Sequence, residues 1–173
     1  MFNRREFMAA GALAGAALAA SCTACHRTAY GFLKEHDAAT LEAICDQIIP
    51  ADDFPSASQA GVLSYIDLQL MGHYRRHQKT YLDSLNQANQ QSRNRFGVDL
   101  AHAAPQQQLE IVSAIEKDNK PFFDLVRAHT MQGYYGTPRH GGNRDAVSWR
   151  MLGLDQPPLR GRAQYDFTAE GKR

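Results

Sequence analysis

The sequence predicts an all-α protein, a single small irregular helical domain of about four to six helices with long loops and an extended C-terminal arm. Apolar residues recur three and four positions apart through the middle of the chain, which is the spacing of one helix face. Runs in which β-branched and polar residues alternate, the pattern of a half-buried strand, do not occur. Prolines and glycines separate the periodic segments, so each segment is expected to be one helix.

Length and charge limit the organisation further. The 173 residues are enough for one domain with a real core. The formal net charge of +1 excludes a nucleic-acid binder of the usual basic type. We divide the chain into an export signal at 1–21, a linker at 22–36, a helical domain at 37–154 and the arm at 155–173.

The N-terminus has the features of an export signal. Arg4 and Arg5 precede Phe7, which opens an Ala/Gly/Leu run that ends near Ala20 and is too short for an ordinary transmembrane helix. The order NRREF at residues 3–7 resembles the twin-arginine signal, with Asn where Ser or Thr is usual. We therefore expect the twin-arginine translocase to export the folded chain to the periplasm.

Cys22 is a candidate for lipidation. The order AASC at residues 19–22 resembles a lipoprotein cleavage box, and cleavage there would leave Cys22 as a lipid-carrying N-terminus at the inner membrane. Each buried lipid methylene contributes about 0.8 kcal/mol, so an anchor with several chains holds firmly. The alternative is ordinary cleavage after Ala19, which leaves no anchor.

The same cysteine opens a second motif, C-x-x-C-H, formed by Cys22, Cys25 and His26. This pattern attaches c-type haem, so a small c-type cytochrome is an alternative reading of the chain. The overlap of this motif with the cleavage site argues against haem. Haem is also normally attached to chains that are exported unfolded, whereas the twin-arginine signal exports folded chains. On the haem reading, the second axial ligand would come from Met71, Met131 or Met151.

Cys25 and Cys45 are the thiols that remain if Cys22 carries lipid. An oxidising compartment permits a disulfide between them. The other reading makes Cys45 a small buried residue on a helix face, which its apolar neighbours favour.

The first two helices are predicted from apolar stripes. Leu41, Ile44, Cys45 and Ile48 share one face of a helix that Asp37 can cap, and Pro50 closes the run. After a turn-rich stretch in which Phe54 is expected to pack onto the body, a second helix should begin near Gln59 and end or bend at Gly72.

Three further segments complete the domain. A long, partly exposed helix should follow Tyr74 and stop at Phe96-Gly97. Pro105 suits the first turn of the next helix, whose buried face should include Leu109. A last long helix is predicted from Pro121 to Gln132, with Gly133 as its left-handed cap.

The stretch from Gly133 to Leu154 is predicted to be a docking surface. Its glycines and one proline favour a shaped loop, and Asn143 can cap a short helix with Asp145 in its first turn and Val147 and Leu152 facing inward. Tyr, Trp and Arg often anchor protein interfaces, although the aromatic residues could instead close the chain's own core. The predicted contacts are Tyr134, Tyr135, Arg139, Asn143, Arg144 and Trp149.

The search for catalytic groups finds no recognisable set. His73 and His77 have a metal-ligand spacing, but Arg75 and Arg76 lie between them, so we interpret this stretch as a solvated basic face. His129 falls on an apolar face and is predicted to lie in the core. No phosphate loop or dinucleotide motif is present, so no cofactor is expected in this chain. A stand-alone periplasmic helical enzyme remains an alternative, since separated residues can converge in a fold.

Three blocks together resemble the gluconate 2-dehydrogenase subunit 3 family. They are the twin-arginine signal, the order LEAICDQIIPADD at residues 41–53, and residues 133–154 with Gly-Gly-Asn at 141–143. The resemblance implies a noncatalytic small subunit of a periplasmic, FAD-dependent sugar or sugar-acid dehydrogenase at the inner membrane. The FAD would lie in a large partner of the glucose-methanol-choline type, often joined by a multihaem cytochrome c subunit. The small subunit would carry the export signal for the flavoprotein and assist its maturation.

Overall fold

The computed structural model describes residues 30–154, and this part of the chain is all-α, as predicted. Its regular structure consists of helices and single 3₁₀ turns, with no strand between residues 30 and 154. The predicted export signal, the Cys22-Cys25-His26 motif and the arm at 155–173 lie outside the described residues. Within residues 30–154, no helix is both long enough and apolar enough to cross a bilayer.

Six α-helices lie in this range, and local sequence explains most of their ends. They are α1 (Glu35–Ile48), α2 (Val62–Met71), α3 (Gln78–Phe96), α4 (Pro105–Asp118), α5 (Lys120–Tyr135) and α6 (Val147–Met151). Gly97 ends α3 with a φ of 78°, a conformation that glycine adopts at little cost. Asn119 separates α4 from α5, and its side chain accepts a hydrogen bond from the backbone N–H of Phe122.

The core lies where α1, α3, α4 and α5 meet, with α2 packed along α5. Apolar side chains fill it at helical spacing, as the stripes predicted. The fully buried members include Leu41, Ile44, Ile66, Leu70, Tyr81, Leu85, Ile111 and Val126. Two residues expected at the core are instead exposed: Phe54 keeps 39% of its surface and Leu109 keeps 43%.

The start of α1 differs from the prediction. The helix begins at Glu35, so Asp37 lies in the first turn instead of capping it. Asp37 is buried there and contacts the imidazole of His36, with 3.5 Å between Oδ1 and Nδ1. A carboxylate in the first turn still favours the helix dipole, which is why the sequence signal was real although its position was wrong.

Gly133 does not cap α5, as the sequence predicted, but lies inside it. The helix continues to Tyr135, and the backbone N–H of Gly136 donates to the carbonyl of Gln132 at 2.9 Å to complete its last turn. A Cβ on Gly133 would lie 2.9 Å from Cδ1 of Tyr65. The glycine is therefore required because α2 packs its tyrosine ring directly on the α5 backbone.

Asp67 on α2 fastens the first described residues to the body. Its carboxylate accepts hydrogen bonds from the backbone N–H groups of Gly31, Phe32 and Leu33 at 2.7, 3.0 and 2.8 Å. The aspartate is 4% exposed, so three donors satisfy a charge that would otherwise be costly to bury. The segment before α1 is thereby joined to α2, far away in sequence.

Candidate docking surface

Asn143 is the residue that holds the loop after α5 in shape. Its side chain donates from Nδ2 to the carbonyl of Gly136 at 2.8 Å and accepts at Oδ1 from the backbone N–H of Ser148 at 3.0 Å. Ser148 belongs to the first turn of α6, so Asn143 binds that turn across the 3₁₀ turn Arg144–Ala146, although Ala146 occupies the N-cap position predicted for Asn143. Asp145 lies in the 3₁₀ turn and not, as predicted, in the first turn of the helix. Both ends of the loop are thus tied to one buried amide.

Two close approaches press this loop onto the helices. A Cβ on Gly142 would lie 2.2 Å from the carbonyl oxygen of Gly133, so the loop backbone lies directly against α5. On the other side, the backbone N–H of Arg144 donates to the carbonyl of Ala60 at 2.8 Å, in the turn before α2. The loop is therefore a fixed part of the surface.

Backbone strain marks the same segment. Asn143, Asp145 and Ala146 have φ values of 45°, 56° and 53°, in the left-handed region that costs residues other than glycine about 1 kcal/mol or more each. The carbonyl of Asp145 accepts a hydrogen bond from the guanidinium of Arg150. A chain segment keeps such conformations only when its surroundings enforce them, and strained segments are common at functional sites.

The structure separates the six predicted contact residues into two groups. Tyr134 and Asn143 are buried, at 1% and 0% exposure, and the Tyr134 hydroxyl donates to the carbonyl of Pro55 at 2.8 Å. The other four reach the surface, fully or in part. Trp149 is half-buried and donates from Nε1 to the carbonyl of Tyr135 at 3.0 Å, and the remaining exposed members are Tyr135, Arg139 and Arg144.

An open groove of about 520 Å³ adjoins this exposed group, between α2, α5 and the loop. Sequence reasoning named Tyr135 but missed Met131, although the two residues lie four positions apart on one face of α5. It also missed Tyr65 and Gln132. The lining of the groove consists of Tyr65, Met131, Gln132, Tyr135, Gly136, Thr137 and His140.

Hydroxyl groups hold one side of the groove in place. The phenol oxygen of Tyr65 lies 3.3 Å from that of Tyr74 and donates to Oε1 of Gln132 at 3.4 Å. Tyr74 also donates to Oε1 of Gln132. Burial, followed by the hydrogen bond with Tyr74, raises the pKa of Tyr65 well above its usual value. The phenol is therefore uncharged near pH 7, and this wall of the groove is neutral.

His129 lies beneath this wall and within the core, as its position on an apolar face predicted. It is 4% exposed, its Nδ1 lies 2.9 Å from the hydroxyl of Tyr81, and its ring stacks on Tyr74 with 3.9 Å between centroids. Burial first, and then the charges of His77 and Arg76, lower the pKa of His129 to about 4. The imidazole is therefore neutral near pH 7 and serves packing.

The remaining candidate ligands do not converge. His73 is exposed, and residues 30–154 contain no group of three or more His, Cys, Asp or Glu side chains that could hold a metal ion. Cys45 is fully buried, its Sγ lies 3.3 Å from Oγ1 of Thr130, and burial raises the pKa of its thiol to about 12. Since Cys25 lies outside the described residues, a disulfide between the two cysteines stays a prediction.

Fold and surface together define a small all-α domain with one preformed loop and an adjoining aromatic groove. The chain belongs to the gluconate 2-dehydrogenase subunit 3 family, whose family model matches residues 35–155, more than two thirds of its length. The family is thus that of a subunit of a multi-subunit dehydrogenase complex. The chain has no significant match among curated proteins or among solved structures.

Proposed function

We propose that this chain is the noncatalytic small subunit of a periplasmic, FAD-dependent sugar or sugar-acid dehydrogenase. Its role is the twin-arginine export, maturation and stabilisation of a large flavoprotein of the glucose-methanol-choline type. The family match over residues 35–155 is the observation that carries this proposal, because its description is that of a third subunit of a dehydrogenase. The flavoprotein holds the FAD and oxidises the substrate, and a multihaem cytochrome c subunit takes part in some complexes.

The exposed members of the loop are the proposed contacts with the flavoprotein. Tyr135, Arg139, Arg144 and Trp149 offer large side chains with polar groups on a backbone that is already fixed. A fixed surface loses little conformational entropy on binding, which favours affinity. Tyr134 and Asn143 act indirectly in this proposal, because they hold the loop and the end of α5 in place.

The N-terminal residues complete the proposal. Arg4, Arg5 and Phe7 form the twin-arginine signal, and Cys22 is the site of the lipid that holds the complex at the inner membrane. A chain exported in the folded state can carry a bound, cofactor-loaded partner with it.

Changing Arg4 and Arg5 together to Lys tests the export role. Both this chain and the flavoprotein should then stay in the cytoplasm, which fractionation and immunoblotting of each subunit can measure. Changing Arg93 and Arg95 to Lys is the matched control, since it makes the same replacement in the folded domain. Normal export of the flavoprotein beside a retained small subunit would contradict the escort role.

Expression of each subunit alone tests the division of labour. The small subunit by itself should reduce no dye with a sugar or sugar acid, because FAD and catalysis belong to its partner. The flavoprotein produced without it should accumulate less and bind less FAD, as measured by flavin absorbance. Dye-linked activity in the isolated small subunit would overturn the noncatalytic assignment.

A further inference from the structure

One exposed face of α5 carries apolar residues where a solvated helix usually carries polar ones. Arg127, Met131 and Tyr135 follow each other at intervals of four residues, so they share this face. Met131 keeps 43% of its surface exposed and Tyr135 keeps 37%. This apolar face forms one side of the groove described above, and in an assembled complex it is a surface to be covered.

The opposite side of the groove is rigid. Tyr65 packs directly on the α5 backbone at Gly133, and its hydroxyl is held by Tyr74 and Gln132. The loop closes one end of the groove with Thr137 and His140. The groove is therefore a preformed apolar slot. When a side chain binds in it, few groups of this chain must become ordered, so little conformational entropy is lost.

The two segments beside the groove carry mainly positive charge. Residues 125–144, which supply all of its lining except Tyr65, contain no Asp or Glu, and neither do residues 68–82, where Tyr74 lies beside Tyr65. Of the acidic residues that flank these segments, Asp67 is buried against three N–H groups, Asp83 pairs with Lys79 and Asp124 pairs with Lys120, whereas Asp145 is exposed next to Arg144. The basic residues of the two segments are Arg75, Arg76, Lys79, Arg127, Arg139 and Arg144.

Two of these cations lie close in sequence to residues that line the groove. Arg127 lies one helical turn before Met131, and Arg139 is next to His140 at the loop end. In the part of the chain that the structure describes, neither side chain forms an ion pair. From Arg127 to Tyr135 the helix rises about 12 Å, a length that an extended peptide covers in about four residues.

We propose that the groove receives an extended segment of the flavoprotein in which an apolar side chain is flanked on both sides by Asp or Glu. The apolar side chain packs between Met131, Tyr135 and Tyr65, and the acidic residues pair with Arg127 and Arg139. The inference rests on the proposed function and specifies which surface of this chain binds its partner. Arg127 and Arg139 repel positively charged segments of other proteins, so the groove also contributes to the choice of partner.

Titration of the purified small subunit with the purified flavoprotein tests this assignment. Met131→Ser should weaken binding about tenfold or more, because it removes the apolar wall. Leu109→Ser is the matched control, since Leu109 has the same 43% exposure on α4. A thermal melt of each variant verifies that it folds.

The charge contribution is tested by reversing Arg127 and Arg139 together to Glu. Binding should weaken about tenfold or more at about 0.1 M salt, and the gap to wild type should narrow at about 1 M, where the Debye length is only about 3 Å. Arg95→Glu with Lys117→Glu makes the same charge change at exposed sites on α3 and α4 and should bind like wild type.

The outcomes separate the two proposals. If the wild-type chain does not bind the flavoprotein at all, the proposed function fails. If it binds and the groove variants match their controls, only the groove assignment is overturned. A photo-cross-linker at position 131 should label the flavoprotein at a segment with flanking acidic residues. Labelling of residues 155–173 of this chain, or of a second copy, would also overturn the assignment.

Discussion

The helical core and the loop after α5 are stabilised in opposite ways. The core consists of many apolar side chains, among them Leu41, Ile44 and Leu85, each of which contributes a share of the burial. The loop depends on a few polar atoms of Asn143 and on backbone contacts that only glycine permits. Loss of one core methylene should therefore cost only about 1 kcal/mol, whereas a single change in the loop should alter the whole surface.

Gly142→Ala should give the largest effect and is the strongest way to break the loop without touching the core. The new Cβ would lie 2.2 Å from the carbonyl oxygen of Gly133, so backbone must move. We expect a loss of about 4 kcal/mol in the free energy of unfolding, measured in urea, together with loss of flavoprotein binding. Gly97→Ala is the control, because its added Cβ meets nothing within 4 Å and costs only about 1 kcal/mol from its positive φ. Equal effects of the two variants would contradict the close packing of the loop.

Asn143→Ala should follow with a loss of about 3 kcal/mol, because the carbonyl of Gly136 and the N–H of Ser148 lose their partner. Asn94→Ala, at an exposed site on α3, should change stability little. Hydrogen exchange should show faster exchange at the N–H of Ser148 while the core amides remain protected. Uniform loss of protection across the chain would mean that the loop and the core unfold as one unit.

Acid should weaken the core more than the loop, through His129. Its pKa in the folded chain is about 4, below the ordinary 6.5, so between these values the unfolded chain binds the extra proton. Stability should therefore fall from pH 6.5 towards pH 4, by about 1 kcal/mol per pH unit in the middle of that window. His129→Gln should flatten the slope in urea denaturation measured at several pH values. An unchanged slope in that variant would assign the acid sensitivity to other groups.

Tyr134 and Tyr135 allow a comparison of a buried and an exposed residue at the end of α5, with the smallest expected effect on stability. Tyr134→Phe removes a hydrogen bond to the carbonyl of Pro55 and should cost about 1 kcal/mol. Tyr135→Phe should leave stability within about 0.5 kcal/mol, because its side chain is 37% exposed. Thermal melts of the two variants give the difference directly. The reverse order would place Tyr135 in the structural role.

Sequence reasoning worked where the signal was local. The apolar stripes located the long helices, and Gly97 ends α3 for a reason that a few neighbouring residues contain. It failed at Gly133 because a glycine is needed there to let Tyr65 of another helix pack closely, and no local pattern reveals that contact. The packing partner of a residue is decided by the whole fold.

The candidate surface was predictable only in part, for the same reason. The stretch from 133 to 154 was recognisable from its aromatic, basic and glycine content. Which of its tyrosines faces outward depends on where α5 ends, and the prediction ended that helix too early. The inward face of Leu152 was also predicted wrongly, since 55% of this residue is exposed and only Val147 is buried.

The contact between Asp67 and the first described residues has a mechanical consequence. Residues 1–29 join the folded body at Tyr30 and Gly31, so any pull from that side reaches the three hydrogen bonds to Asp67 before it reaches α1. We therefore expect tension to load α2 through Asp67 before it can unwind the first turn of α1. Force applied at the N-terminal end should thus be shared between two helices that are far apart in sequence.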